Sequence, residues 1–212
     1  EAGELAIASY ADAGRIAINT GLVMGAGSIG AAAVSYTRSR KVDPLMTANG
    51  LLAGLVSVCA FANVAHWSTA LVVGVIAGVQ VVLVFDLLEK AGIDDVCAVF
   101  PVHGSAGALG VLAVPFVDTT SAFSISQLGV QFVGIVVLAG WAAVSTFAIY
   151  GVLKSIGWAR VSSEEEAEGL DASEHGVETY PEFGEQFPGG TTETSGTVAA
   201  TDGGNKGTSN DD

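Results

Sequence analysis

The chain has 212 residues, half of them hydrophobic, with 28 glycines and only 14% charged residues, which is too apolar for an ordinary soluble domain of this length. The formal net charge of −14 is unevenly distributed along the chain. Residues 1–160 carry nine acidic and seven basic residues, a net charge of −2, whereas residues 161–212 carry thirteen acidic residues and one basic residue, a net charge of −12. A nearly neutral apolar body with an acidic tail indicates a membrane domain followed by a solvated segment, and it excludes nucleic acid as a partner.

Five segments are apolar and long enough to cross a bilayer, because about 30 Å of hydrocarbon crossed at about 1.5 Å per residue requires roughly 20 residues. In chain order, the predicted spans are residues 16–37, 44–62, 67–88, 96–117 and 128–153. The connections between them are short. We therefore expect an all-α, polytopic membrane helix bundle, with a transmembrane domain over residues 1–160.

Basic residues mark one side of this bundle. They follow the first, third and fifth spans, whereas the opposite loops hold only Arg15 at an edge; the basic residues are Arg38, Arg40, Lys41, Lys90, Lys154 and Arg160. Because cytoplasmic loops carry an excess of Lys and Arg, we expect the N-terminus of the chain outside a cell membrane and the acidic C-terminus inside the cell.

Local signals support these elements. Asp43 followed by Pro44 predicts a helix N-terminus, and the four-residue spacing of Asp86 and Lys90 predicts an ion pair on one helix surface. Glycines four residues apart recur in three successive spans and favour close packing of helix backbones. These pairs are Gly21 with Gly25, Gly50 with Gly54, and Gly74 with Gly78.

His103 is the most informative single residue, because it lies roughly halfway along the fourth predicted span. An ionisable group at that depth generally faces a bundle interior or a cavity and marks a pathway, although a hydrogen bond between helices is the alternative. Desolvation would keep the imidazole neutral, with one donor and one acceptor nitrogen. Pro101 removes a backbone donor and can free carbonyl groups beside the ring. No cysteine or carboxylate spacing indicates a metal site, a cofactor or an enzyme.

Two ordered motifs carry a family resemblance. Asp94-Asp95 precedes Val102-His103-Gly104 inside a glycine-rich span, and Glu168-Gly169-Leu170-Asp171 followed by Ser173-Glu174-His175-Gly176 comes after the last span. Together they resemble the histidine helix and the cytoplasmic signature of ammonium transporters of the Amt/Rh family, and the resemblance covers residues from about 5 to 180.

The resemblance implies the second half of an eleven-helix fold that assembles as a homotrimer and conducts ammonium or ammonia through a hydrophobic pore in each subunit. His103 matches one of two pore histidines, with Pro101 and Gly104 as structural neighbours, and Asp95 is expected to cap the span. The partner histidine and the outer recruitment site belong to the first half, which the chain lacks. An ammonium sensor on the same scaffold, or an inactive truncated remnant, are the alternatives.

The acidic tail divides into two parts. Residues 161–180 resemble the family's cytoplasmic regulatory segment, which receives a PII-type signalling protein, and Gly169, Asp171, His175 and Gly176 carry the match. Residues 181–212 are rich in Gly, Thr, Ser and acidic residues, so we expect them to be disordered.

Overall fold

The computed structural model describes residues 10–176, and the disorder predicted for residues 181–212 lies outside them. Over that range the chain is helical, with one isolated bridge between Ala65 and Asp118. The described residues fall into two compact units, which divide between Thr146 and Phe147. The elements in order are α1 (Tyr10–Ser39), α2 (Pro44–Val58), α3 (Trp67–Lys90), a π-helical turn (Phe100–Ser105), α4 (Ala106–Val117), α5 (Ile125–Ser155), α6 (Ser163–Glu168) and α7 (Leu170–His175).

Four of the five predicted spans are helical segments long and apolar enough to cross a membrane. They are Asp12–Ser39, Trp67–Lys90, Phe100–Val117 and Ile125–Ser155. The second prediction is too long, because α2 has only 15 residues and ends at Val58. At about 1.5 Å per residue, this helix is roughly 22 Å long, less than the hydrocarbon thickness. The fourth span begins four residues later than predicted, at Phe100.

The early end of α2 depends on a buried side chain of α1. After Val58 the chain continues in tight turns to Ala65, with Phe61 fully buried. Asn19 lies 1% exposed and donates from Nδ2 to the carbonyl oxygens of Ala62 and Ala65, at 2.9 and 3.0 Å. These bonds provide a donor to two carbonyl groups of the α2–α3 connection, so Asn19 fastens the connection to α1.

Glycines lie at the contacts among α1, α2 and α3, as the sequence predicts, but the predicted pair on α1 is not at these contacts. A Cβ on Gly50, Gly54, Gly74 or Gly78 would strike the backbone of α1, whereas Gly21 and Gly25 have nothing within 4 Å. The α1 glycines in contact are Gly27 and Gly30, because the buried stripe of this helix passes through Asn19, Val23, Gly27 and Gly30 at helical spacing.

Charged and polar groups fix the helix ends. Asp43 caps α2, its Oδ1 accepting from the amides of Leu45 at 2.8 Å and Met46 at 3.1 Å. The ion pair predicted between Asp86 and Lys90 is wrong, because Asp86 of α3 pairs with Arg38 of α1. These helices pack along each other, so a cation from the neighbouring helix reaches the carboxylate.

The end of α4 is tied to the α2–α3 connection. Thr119 donates to the carbonyl oxygen of Val64 from both its amide, at 3.0 Å, and its hydroxyl, at 2.7 Å. In the adjoining turn, hydrogen bonds from Ser121 and Thr120 lower the pKa of Asp118 to about 2. The Asp118 carboxylate therefore stays ionised down to a lower pH than an ordinary aspartate side chain.

We expect Gly78→Ala to destabilise the bundle by about 1–3 kcal/mol, because overpacking forces backbones apart. The added Cβ would lie 2.7 Å from the Gly27 carbonyl carbon and 2.9 Å from the Ala31 amide nitrogen. Gly129→Ala on α5 is the matched control, since nothing lies within 4 Å of that position. Unfolding of the purified protein in detergent measures both, and equal stability of the two variants would contradict the packing described.

We expect Asn19→Ala to cost about 1–2 kcal/mol of unfolding free energy, because two buried carbonyl groups lose their donor. Asn63→Ala provides the control, as Asn63 is exposed and only its backbone carbonyl is bonded, to Arg15. The same unfolding assay compares the two. A loss no larger at Asn19 than at Asn63 would show that Asn19 does not fasten the connection.

Candidate functional site

The segment from Asp95 to Ser105 contains every residue that the sequence analysis assigned to the conduction site. Asp95 caps its start, with its carboxylate accepting from the amides of Val99 at 2.8 Å and Phe100 at 2.9 Å. This is the capping role expected for Asp95. Ala98, which lies between Asp95 and these amides, is buried and has a φ of 58°. The chain therefore turns sharply just before the helix begins.

The residues from Phe100 to Ser105 form a π-helical turn rather than an α-helix. The amide of Ala106 donates to the Pro101 carbonyl, five residues earlier. Because Pro101 has no N–H and lies in the first turn, it leaves no amide unsatisfied there. Single π turns within helices are rare and are frequently found at functional sites.

The Pro101 carbonyl oxygen is the centre of a small polar cluster. It accepts from Gln80 Nε2 of α3 at 3.1 Å and from the Ser105 hydroxyl at 2.8 Å, in addition to the Ala106 amide. The Ser105 hydroxyl also lies 2.7 Å from Gln80 Oε1. Both side chains are half-buried. The sequence analysis missed Gln80 and Ser105. The signal that could have identified Gln80 was a single amide side chain within the apolar run of α3.

His103 projects from this turn on its exposed side. Pro101, Val102 and Ala106 face the core of the chain, whereas His103 and Gly104 are exposed. The ring lies near the start of the helical segment Phe100–Val117 rather than halfway along a span, because Val96 to Ala98 are not helical. The burial that the sequence predicts for the imidazole is therefore not provided by residues 10–176.

Gly104 gives room to an aromatic ring. A Cβ at this position would lie 2.8 Å from Cδ2 of Phe100, so the ring of Phe100 lies directly over Gly104. Phe100 is 55% exposed and Val99 is 56% exposed. Two exposed apolar side chains, Val99 and Phe100, therefore lie about one turn before His103 on its own segment.

Near the N-terminal end of α1 there are two open cavities, and Arg15 lines both of them. One has a volume of about 580 Å³ and is lined in part by Asp12, Thr20 and Asn63; the other, of about 370 Å³, is lined by Asn19, His66 and Trp67 among others. His66 caps α3 through Ser68 and its ring lies 5.4 Å from that of Trp67. Within residues 10–176, no group of His, Cys, Asp and Glu side chains could hold a metal ion.

The predicted regulatory residues lie in the second unit, on α7 and at its two ends. Gly169 has a φ of 102° and Gly176 a φ of 63°, conformations that favour glycine. Hydrogen bonds from Ser162, in a capping box, lower the pKa of Glu165 at the start of α6. Asp171 and His175 lie on α7, and the Ser173 hydroxyl donates to the Gly169 carbonyl at 3.1 Å.

Fold and site together define a polytopic membrane helix bundle with a histidine on a π-helical turn of one apolar helix. The model of the Ammonium Transporter Family matches residues 2–180, and the chain belongs to that family. It is 50% identical over 187 residues to the ammonium transporter Amt2 of Haloferax mediterranei, a match covering 86% of this chain and 41% of that protein.

Less similar proteins support the same family membership. The identity to the ammonium transporter Amt2 of Methanocaldococcus jannaschii is 37%, over 80% of this chain and 40% of that protein. A solved structure described as a sensor Amt protein superposes with a TM-score of 0.72 at 26% identity, over 77% of this chain and 42% of that chain. The chain therefore spans about two fifths of the length of these relatives.

Proposed function

We propose that this chain supplies one half of an ammonium transporter in which His103 lines the conducting pathway. The observation that carries the proposal is an imidazole exposed on a π-helical turn of an apolar helix, in a chain of the Ammonium Transporter Family. A polar ring at such a position in a membrane helix needs a partner other than lipid. A pathway shared with the rest of a transporter provides one.

The exposed side of the π turn is the surface on which the pathway would form. In the relatives, about three fifths of the length lies outside the matched region, and we propose that such sequence covers Phe100, His103 and Gly104. A second histidine would then face His103 across the pore. Desolvation by this covering would favour the neutral imidazole.

The mechanism we propose separates the proton from the nitrogen before conduction. Ammonium gives up its proton at the outer side, and ammonia crosses the apolar constriction beside His103. A monovalent cation in a low-dielectric pore costs many kcal/mol, whereas a neutral molecule that retains hydrogen bonds costs far less. A neutral imidazole has one donor and one acceptor nitrogen, so it can bond to ammonia or relay the released proton.

Assembly and regulation are further parts of this proposal. The basic residues at the ends of α1, α3 and α5 favour a cytoplasmic location for those ends, and we propose that α6 and α7 lie on the same side. There, Gly169, Asp171, His175 and Gly176 would contribute to a surface for a PII-type signalling protein. We propose a homotrimer, in keeping with the family resemblance of both motifs.

A sensor is the second candidate function. It is favoured by the superposition on a structure described as a sensor Amt protein. A pure sensor binds ammonium without passing it across the membrane, whereas a transporter shows flux. Uptake of methylammonium by cells expressing the complete coding sequence therefore distinguishes the two, and binding without uptake would favour the sensor.

We expect His103→Ala, introduced into that complete protein, to reduce methylammonium uptake to background, because the pore loses the group that bonds neutral substrate or relays its proton. His66→Ala is the control. His66 is an exposed cap of α3 and has no place in the proposed pathway, so this variant should retain uptake. Full uptake by a correctly assembled His103→Ala protein would refute the proposed role.

A further inference from the structure

The π turn determines the direction in which His103 points relative to α4. It contains one residue more than an α-helical turn would, and each residue of an α-helix rotates the chain by about 100°. If Phe100–Ser105 reverted to an α-helix, the residues before Ser105 would rotate by about 100° and move by about 1.5 Å along the axis. The exposed face would then present a different side chain.

A π turn is rare within α-helices, so we expect a contact that stabilises this one. Gln80 provides one from a different helix: its Nε2 reaches the Pro101 carbonyl at 3.1 Å. In an α-helix that carbonyl would accept from the amide of Ser105, four residues later. Here it accepts from the amide of Ala106.

Ser105 completes the cluster from within the turn. Its hydroxyl lies 2.7 Å from Gln80 Oε1 and 2.8 Å from the Pro101 carbonyl oxygen. The single hydroxyl proton can be donated to only one of these two oxygens at a time; when it is donated to Gln80 Oε1, both ends of the Gln80 amide have a partner. A primary amide in apolar surroundings is costly unless it is bonded in this way, and this cost keeps Gln80 attached to the turn.

We propose that Gln80 and Ser105 are positioning residues that hold the π register and thereby fix the direction of His103. The inference rests on the proposed function of His103, and it adds two residues that hydrogen-bond to the Pro101 carbonyl oxygen. Their effect passes through the Pro101 carbonyl.

Gln80→Leu tests the proposal in the complete protein. We expect the maximal rate of methylammonium uptake to fall roughly tenfold or more, since displacing a functional group by about 1 Å can cost as much as a hundredfold, while the half-saturating concentration changes little. Gln131→Leu is the matched control, because Gln131 is a half-buried glutamine of α5 outside this cluster and should leave uptake unchanged. Equal uptake by both variants would overturn the proposal.

Ser105→Ala and Ser105→Thr form a second test, which stands even if Gln80→Leu fails to assemble. The first removes the hydroxyl and should slow uptake, whereas the second retains the hydroxyl and should restore most of the rate. In addition, the double variant with Gln80→Leu and Ser105→Ala should lose less uptake than the sum of the two single losses, because both substitutions act on one cluster. Additive losses, or equal losses in the Ala and Thr variants, would argue against a shared positioning role.

Measuring His103→Ala beside Gln80→Leu separates this inference from the function on which it rests. If His103→Ala abolishes uptake but Gln80→Leu does not alter it, only the positioning role is refuted. If His103→Ala itself retains uptake, the proposed function fails first. A structure of the Gln80→Leu protein gives a readout independent of transport: we expect the π turn to be lost and His103 to be rotated, and an unchanged turn would contradict the proposal.

Discussion

Three helix backbones meet at Gly27, and the arrangement of the bundle depends on that contact. The Gly27 carbonyl lies against Gly50 of α2 and Gly78 of α3, where no side chain can fit. Van der Waals packing between backbones holds membrane helices together, because lipid removes the hydrophobic force that acts in water. Once α1, α2 and α3 are in contact, Asn19 reaches the α2–α3 connection and Arg38 reaches Asp86.

The position of the π turn follows from this arrangement. α4 packs on α2, where a Cβ on Gly110 would strike the backbone of Ser57. Val102 and Ala106 join the core formed with Ala53, Ala77 and Val81. These contacts place the Pro101 carbonyl within reach of Gln80 on α3. His103 is therefore oriented by packing that begins at the glycines of α1, some distance away in the sequence.

Several features of the fold were predictable because their causes are local. The apolar runs gave four membrane-length helices, Asp43 with Pro44 marked the start of α2, and the motif around His103 indicated the family. Hydropathy continues past Val58, however, and the sequence analysis placed the end of α2 at Ala62. It could not anticipate that Asn19, more than forty residues away, bonds to the Ala62 and Ala65 carbonyl groups.

The features that were wrong or missed are nonlocal or depend on helix register. Spacing alone paired Gly21 with Gly25 and Asp86 with Lys90, but the buried stripe of α1 instead presents Gly27, and Arg38 reaches Asp86 from that helix. The exposure of His103 depends on a π turn that Gln80 contacts from α3. Composition identifies such residues as polar, but it does not reveal which backbone carbonyl they will meet.

Ala98 limits which sequences can form the bend before the π turn. Its left-handed backbone costs a residue with a Cβ about 1–2 kcal/mol, and its amide and carbonyl are both bonded, to Asp95 and Val102. The side chain is fully buried in the core beside Val102 and Ala106. A larger side chain at this position would have to displace the core residues packed around it.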